Sequence, residues 1–433
     1  MSGLKYLATL ICFILPVSAA SDEDAAYCKN GKMSVKNVSD ILSVVNDRRT
    51  KLVNGLETKG EDGDRLPPAR NMRKMAYDCK LEQEAENFLE VLDCAKAIPE
   101  QREPDRSYIF ASVVLHYPLW RDLIYILDWG SEKVFLNGSQ PVKYTDNDGD
   151  LLNYANLMRG SASKIGCAVK TCPDEEDEDF YIDLCLTDER NIRIGEEIYE
   201  TGTAGTCECD ESLKCDGMLC VVPVEFPGSS DEPNTKCSSK EISDTMRMHM
   251  QDTHNYRRSQ LALGQISDNK GKPLPAASNM NYLVWDCALE REAHDFLRGC
   301  PKEGYKRTDD DSLAQNFYYG ITDEPTFRDM NKKAVTEWWK QVRKVAGPGT
   351  KAFTTQHNST EIRSFTLMGW ASSREMGCSI AKCGSYWVEA CRYYPPGNKV
   401  GQSMYKSGKV CSKCDASGAK SCDRNLGLCG SEK

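Results

Sequence analysis

Val38, Ile41, Leu42 and Val45 recur at i, i+3, i+4 and i+7, one apolar face of a helix. Ile242, Met246 and Met250 predict the same helix further along, with Ser238 and Glu241 placed as a capping box at its start. A second helix is predicted after Asp78 and again after Asp286, since an aspartate there can accept from the free N–H groups of a first turn. Its apolar stripe is Tyr77, Leu81, Ala85, Phe88 and Leu89 in one case, and Trp285, Leu289, Ala293, Phe296 and Leu297 in the other. Later the period falls to two. Phe180, Ile182 and Leu184 alternate with Tyr181, Asp183 and Cys185, and Tyr386, Val388 and Ala390 alternate with Trp387, Glu389 and Cys391, which predicts strands. Helices first and strands later point to an α+β layered domain, present twice.

The repetition is explicit in the residues. Leu66-Pro-Pro-Ala-Arg-Asn-Met72 returns as Leu274-Pro-Ala-Ala-Ser-Asn-Met280, and Tyr77-Asp-Cys79 as Trp285-Asp-Cys287. Ile165-Gly-Cys167 returns as Met376-Gly-Cys378, and Gly195-Glu-Glu-Ile-Tyr199 as Gly401-Gln-Ser-Met-Tyr405. The cysteines divide equally. Cys28, Cys79, Cys94, Cys167, Cys172, Cys185, Cys207, Cys209, Cys215 and Cys220 match in order Cys237, Cys287, Cys300, Cys378, Cys383, Cys391, Cys411, Cys414, Cys422 and Cys429. Complete sets imply bridges within each copy, with the connectivity open. Residues 221–236 read as an extended linker with three prolines and no amphipathic period. The copies differ in charge: residues 21–236 carry a net of −18 and residues 237–433 a net of +7.

The chain's start sets the expected compartment. Lys5, an apolar Leu7–Leu15 and the small residues Val17-Ser-Ala-Ala20 read as a signal peptide over 1–20. No apolar run reaches the roughly 20 residues that span a bilayer. Cys12 lies in the leader, so an even number of cysteines remains for disulfides in an exported protein. Cys411-Ser-Lys-Cys414 is then structural and not a redox pair. Asn37, Asn137 and Asn358 head glycosylation sequons. An acidic exported chain is no candidate for nucleic acid.

At Cys391-Arg-Tyr-Tyr-Pro-Pro-Gly-Asn398 the sequence resembles a signature of the CAP (sperm-coating-protein/venom-allergen) family. His254-Asn-Tyr-Arg257, Ala334-Val335 before Trp338, and Phe365-Thr366 before Trp370 match further landmarks. Two such modules resemble the two-domain Ancylostoma-secreted-protein group of parasitic nematodes. The resemblance implies an α-β-α sandwich in each copy, with CAP domains over 21–206 and 237–410 and small cysteine-rich extensions over 207–220 and 411–433. It also implies host molecules or cells as the partners.

Many members of that family hold a divalent ion on two histidines and two glutamates. Position by position, this chain departs from the pattern. Gln315, Gln341 and Ser364 replace ligands in the second copy. In the first, Trp129-Gly-Ser-Glu132 keeps one glutamate, Asn153 takes a histidine position and Tyr108 falls near the other glutamate. One carboxylate is no metal centre. The five histidines supply no alternative: His254 is structural with Val45 as its counterpart, His249 stands five residues from it and off one helical face, His294 reads as a solvated helix residue, and His116 and His357 lack a partner motif. Asp146-Asn-Asp-Gly-Asp150 and the acids 174–179 fit no calcium-loop pattern and read as solvated loops. The expectation is a secreted binding protein with no metal, cofactor or catalytic residue, whose partner is a host extracellular or cell-surface protein. The alternatives are a lipid carrier using Ile109–Leu115 or Phe317–Tyr319, and a metal-dependent hydrolase.

Overall fold

A computed structural model of the chain describes residues 24–59, 63–94, 105–113, 119–136, 142–145, 149–173, 180–228, 234–304, 313–321, 326–344, 351–414, 419 and 421–430. The leader, His116, Asn137, Asp146 to Asp148 and the acids 174–179 lie outside these residues.

The first copy runs α1 (Val35–Val53), β1 (Ala69–Arg70), β2 (Ala76–Tyr77), α2 (Cys79–Glu90), β3 (Ser107–Val113), α3 (Leu119–Glu132), β4 (Val142–Lys143), α4 (Gly149–Leu157), β5 (Lys164–Cys172), β6 (Phe180–Thr187) and β7 (Glu197–Thr201). Its extension adds the hairpin β8 (Lys214–Asp216) and β9 (Leu219–Val221). The second copy runs α5 (Asp244–Ala262), β10 (Val284–Trp285), α6 (Cys287–Arg298), β11 (Gln315–Gly320), α7 (Phe327–Lys344), α8 (Thr355–Asn358), α9 (Arg363–Met368), β12 (Glu375–Cys383), β13 (Tyr386–Tyr394), β14 (Cys422–Asp423) and β15 (Leu428–Cys429).

Each copy centres on a four-stranded sheet, ordered β2-β5-β6-β3 in the first and β10-β12-β13-β11 in the second. The sheet is buried on both faces. Ile182, Leu184 and Leu186 pack with Leu81, Ala85 and Leu89 of α2, while Cys167 and Cys185 face a second core built on α1, α3 and α4. The second copy layers α6 on one face and α5, α7 and α9 on the other. This is the α-β-α sandwich, twice.

The repeated motifs have local reasons. Asp78 accepts from the N–H groups of Lys80 and Leu81, and Asp286 from that of Leu289, as expected of helix caps. α5 is capped by Ser243, not by Ser238 with Glu241. Ser243 Oγ accepts from Met246 N–H, so the helix starts later than its apolar spacing implied. Gly166 and Gly377 let β5 and β12 pass under α2 and α6: a Cβ there would lie 2.3 Å from Glu82 N and 2.2 Å from Glu290 N. Tyr199 and Tyr405 tie their motif to the proline motif, donating to Pro67 O at 3.1 Å and Pro275 O at 2.9 Å.

The ten disulfides follow one connectivity in both copies. Cys28–Cys79, Cys94–Cys172, Cys167–Cys185, Cys207–Cys215 and Cys209–Cys220 correspond to Cys237–Cys287, Cys300–Cys383, Cys378–Cys391, Cys411–Cys422 and Cys414–Cys429. Cys411 and Cys414 belong to different bridges, so they form no Cys-x-x-Cys redox pair.

The linker is more than a spacer. Val222, Val224 and Phe226 pack against the α6-side core, and Glu225 exchanges backbone hydrogen bonds with Lys382. A period of two is therefore present in Val222-Pro-Val224-Glu-Phe226, contrary to the reading of a segment without one. The copies also touch. Lys29 N–H donates to Glu292 and its ammonium pairs with Asp286 and Glu375, while the Arg291 guanidinium lies 4.8 Å from the Tyr27 ring centre. Tyr27 donates to Asp295 at 2.5 Å, and burial lifts the Asp295 carboxyl to a pKa of about 6.

Candidate functional site

The expected cavity of the second copy is lined by structural hydrogen bonds. Gln341 Oε1 accepts from the N–H groups of Ser364 and Phe365 at 2.9 and 3.1 Å, filling the capping role at the start of α9. Ser364 O accepts from Asn316 Nδ2 at 3.0 Å. These two substituted positions therefore meet, but as a helix cap. Gln315 does not join them. It is the register partner of Arg392, whose Nε donates to Gln315 Oε1 at 3.0 Å while its Nη1 donates to Glu292. Adjacent side chains along a strand face opposite ways, so the side chain of Asn316 and not that of Gln315 reaches α9, where Gln315 contributes only its carbonyl, accepting from Arg363.

The first copy departs further. Asn153 clamps β3, accepting from Phe110 N–H and donating to Phe110 O. Tyr108 packs its ring against Phe88 and Phe110 in the α2-side core. Glu132 is exposed, and Trp129 is 58% exposed where Trp338 is 2% exposed. The expected retained glutamate is thus on the outer face. Burial aligns Leu127 and Val134 with Val335 and Val342, one residue out of step with the tryptophan match. A one-residue step turns a helical side chain by about 100°. Gly130 takes the place of Trp338, and a Cβ there would meet Tyr154 Cβ at 2.3 Å, so α4 occupies the space of the indole.

Two of the histidines serve the fold. His254 is fully buried, with Nδ1 on Met250 O and Nε2 on Tyr393 OH, and burial lowers its pKa to about 4. His357 closes a capping box with Thr354. His294 corrects the solvated reading: it is 4% exposed, its ring lies 3.9 Å from that of Phe226, and burial lowers its pKa to about 4. The stretches offered as lipid contacts are only partly core: Phe110, Phe317 and Tyr318 are half-buried, Tyr319 is exposed, and Val114 and Leu115 lie outside the described residues. Ile109 is 1% exposed, and Phe317 packs edge-on against Phe296.

Two buried polar groups went unnoticed in the sequence. Arg258 follows the His254-Asn-Tyr-Arg257 landmark and donates to five backbone carbonyls; Arg49 donates to four in the first copy. Asp122 and Asp183 bury carboxylates against each other. The recurrence of Arg49 and Arg258 at matched positions was a legible signal.

Among the described sequons, Asn37 is exposed in the first turn of α1. Asn358 is 8% exposed and its Oδ1 accepts from Arg363 Nε at 3.1 Å, so the folded protein has no room for a glycan there. Peptide mass spectrometry after enzymatic deglycosylation in heavy-oxygen water is expected to label Asn37 and leave Asn358 unlabelled. Labelling of Asn358 would contradict its placement.

The family model described as the cysteine-rich secretory protein family, CAP, matches residues 42–185 and 251–394. The chain is similar to Ancylostoma secreted protein of Ancylostoma caninum, at 26% identity over 434 residues, covering 98% of each. It is also similar to human cysteine-rich secretory protein LCCL domain-containing 1, at 30% identity over 207 residues, 43% of this chain and only 37% of that one. Among solved structures, Na-ASP-1 is 24% identical and covers 93% of this chain and 99% of its own, with a TM-score of 0.40. No helix among the described residues is long and apolar enough to cross a membrane.

Proposed function

This chain belongs to the cysteine-rich secretory protein (CAP) family, and on that premise we propose that it is an exported, non-enzymatic binding protein that engages a host extracellular or cell-surface protein. One observation carries this reading. In the second copy Gln315, Gln341 and Ser364 put amides and a hydroxyl where metal ligands would stand, with Gln341 committed to capping α9, and in the first copy the one retained carboxylate, Glu132, lies on the outer face. A carboxamide brings no charge to an ion and no titrating proton to a substrate. The rigid scaffold supports binding, and the opposite net charges of the two copies give each a distinct field for steering a partner.

The test is capture from host serum and cell-surface extracts by the full-length protein, with and without EDTA. The expected result is one saturable protein partner, retained equally in chelator. Loss in EDTA with recovery on added zinc would replace this reading with a metal-dependent one. Capture of no protein, with a lipid extracted from the purified chain, would replace it with carriage.

A further inference from the structure

A cleft of about 770 Å³ lies between the two copies. That volume is in the range of sites for small organic ligands. Leu42 of α1 and Leu213 of the first extension form one wall. Val222, Val224 and Phe226 of the linker form another, and His294 with Arg298 of α6 closes the end. No single copy supplies all of these walls.

The polar groups around it are unequal. Lys74 is paired with Asp216, Lys164 with Asp78, and Arg298 lies 3.6 Å from Glu241 and 3.7 Å from Asp295. Arg73, half-buried on the first-copy side, has no ion-pair partner among the described residues. His294 Nε2 is buried without a hydrogen bond among the described residues, with Glu241 Oε1 at 3.7 Å. A buried ring nitrogen left open beside a cavity is an anchor awaiting a partner.

We propose that this cleft is a small-molecule site assembled from both copies and the linker, and that it takes an apolar organic acid. The hydrophobic body lies on Leu42, Val222, Val224 and Phe226, and the acid group meets Arg73. His294 Nε2 offers a second polar contact along the body. The inference stands apart from the host-protein reading: it concerns a different class of ligand and needs no protein partner.

The probe is 11-(dansylamino)undecanoic acid, titrated by fluorescence into the full-length protein beside its methyl ester. One saturable site is expected, with the acid bound about tenfold more tightly than the ester, the loss expected for one charge-assisted hydrogen bond. Arg73→Gln is expected to bring the acid down to the affinity of the ester while leaving the ester unchanged. Leu42→Arg and Val224→Asp place charges on opposite walls, and each is expected to abolish binding in protein whose cooperative thermal transition shows that it is folded. Equal affinity of acid and ester for the native chain overturns the acid assignment. So does loss of the ester in Arg73→Gln. Wild-type binding by both wall variants places the probe elsewhere and overturns the site.

Discussion

Arg258→Met is expected to cost at least about 4 kcal/mol of stability in the second copy, because several buried carbonyls lose their donor together. Arg258 is fully buried on α5. Its guanidinium donates to Asn281 O at 2.8 and 3.0 Å, Met368 O at 2.7 Å, Trp370 O at 2.9 Å, Ser373 O at 3.2 Å and Ala371 O at 3.5 Å. These carbonyls belong to two segments far apart in sequence, the approach to β10 and the chain leaving α9. No carboxylate is needed to hold the charge. Burial lowers the pKa to about 9, which still leaves the group charged at neutral pH. Five carbonyl dipoles then stand in for a counter-ion. Methionine fills much of the volume and supplies no donor. Each buried acceptor left open costs about 1–3 kcal/mol, reduced where a loop relaxes toward water. Arg258→Lys is expected to fall nearly as far, since an ammonium has three donors and no planar fork. Guanidinium denaturation followed by tryptophan fluorescence measures this. A loss below about 1 kcal/mol for the methionine variant would mean that the loops do not depend on the arginine.

The second large effect is a gain. Asp122→Asn is expected to stabilise the first copy by about 2 kcal/mol at pH 8 and by little at pH 4. Asp122 of α3 is 2% exposed and Asp183 of β6 is 6% exposed. Both oxygens of Asp122 and Oδ2 of Asp183 lack a hydrogen-bond partner among the described residues. Burial, and then the neighbouring Asp122 carboxylate, hold Asp183 well above the usual carboxylate range. A raised carboxyl pKa means that the folded state holds a proton the unfolded state releases. The associated stability is fully present below about pH 4 and is lost as pH rises toward the raised pKa. The second copy shows the alternative. Asn331 of α7 donates to Glu389 Oε1 at 2.6 Å, and Glu389, like Asp183, stands two residues before a bridging cysteine. An amide there supplies the hydrogen that the aspartate pair must take from solvent. Denaturant midpoints at pH 4, 6 and 8 decide the matter: an unchanged pH slope in Asp122→Asn rules out a shared proton as its source.

Local order was legible along the chain. Two copies, their caps at Asp78 and Asp286, the strands before Cys185 and Cys391, and the cysteine framework all follow from spacing that each segment carries within itself. A fixed φ/ψ period puts the same residues on one face whatever lies opposite. Even the docking of the linker was written in Val222, Val224 and Phe226, although prolines and polar residues obscured it. What lies opposite was decided by the tertiary structure. A one-residue difference in how α3 and α7 sit on their sheets turns Trp129 outward and carries Glu132 away from the cavity. Alternation along β11 sends Gln315 to Arg392 and Asn316 to α9. The burial of Asn358 and His294, the abutment of Asp122 with Asp183 and the cleft between the copies likewise join segments distant in sequence. The residue pattern states which faces are apolar. Only the packing of rigid elements against one another determines which polar groups are trapped between them, and so where binding chemistry can arise.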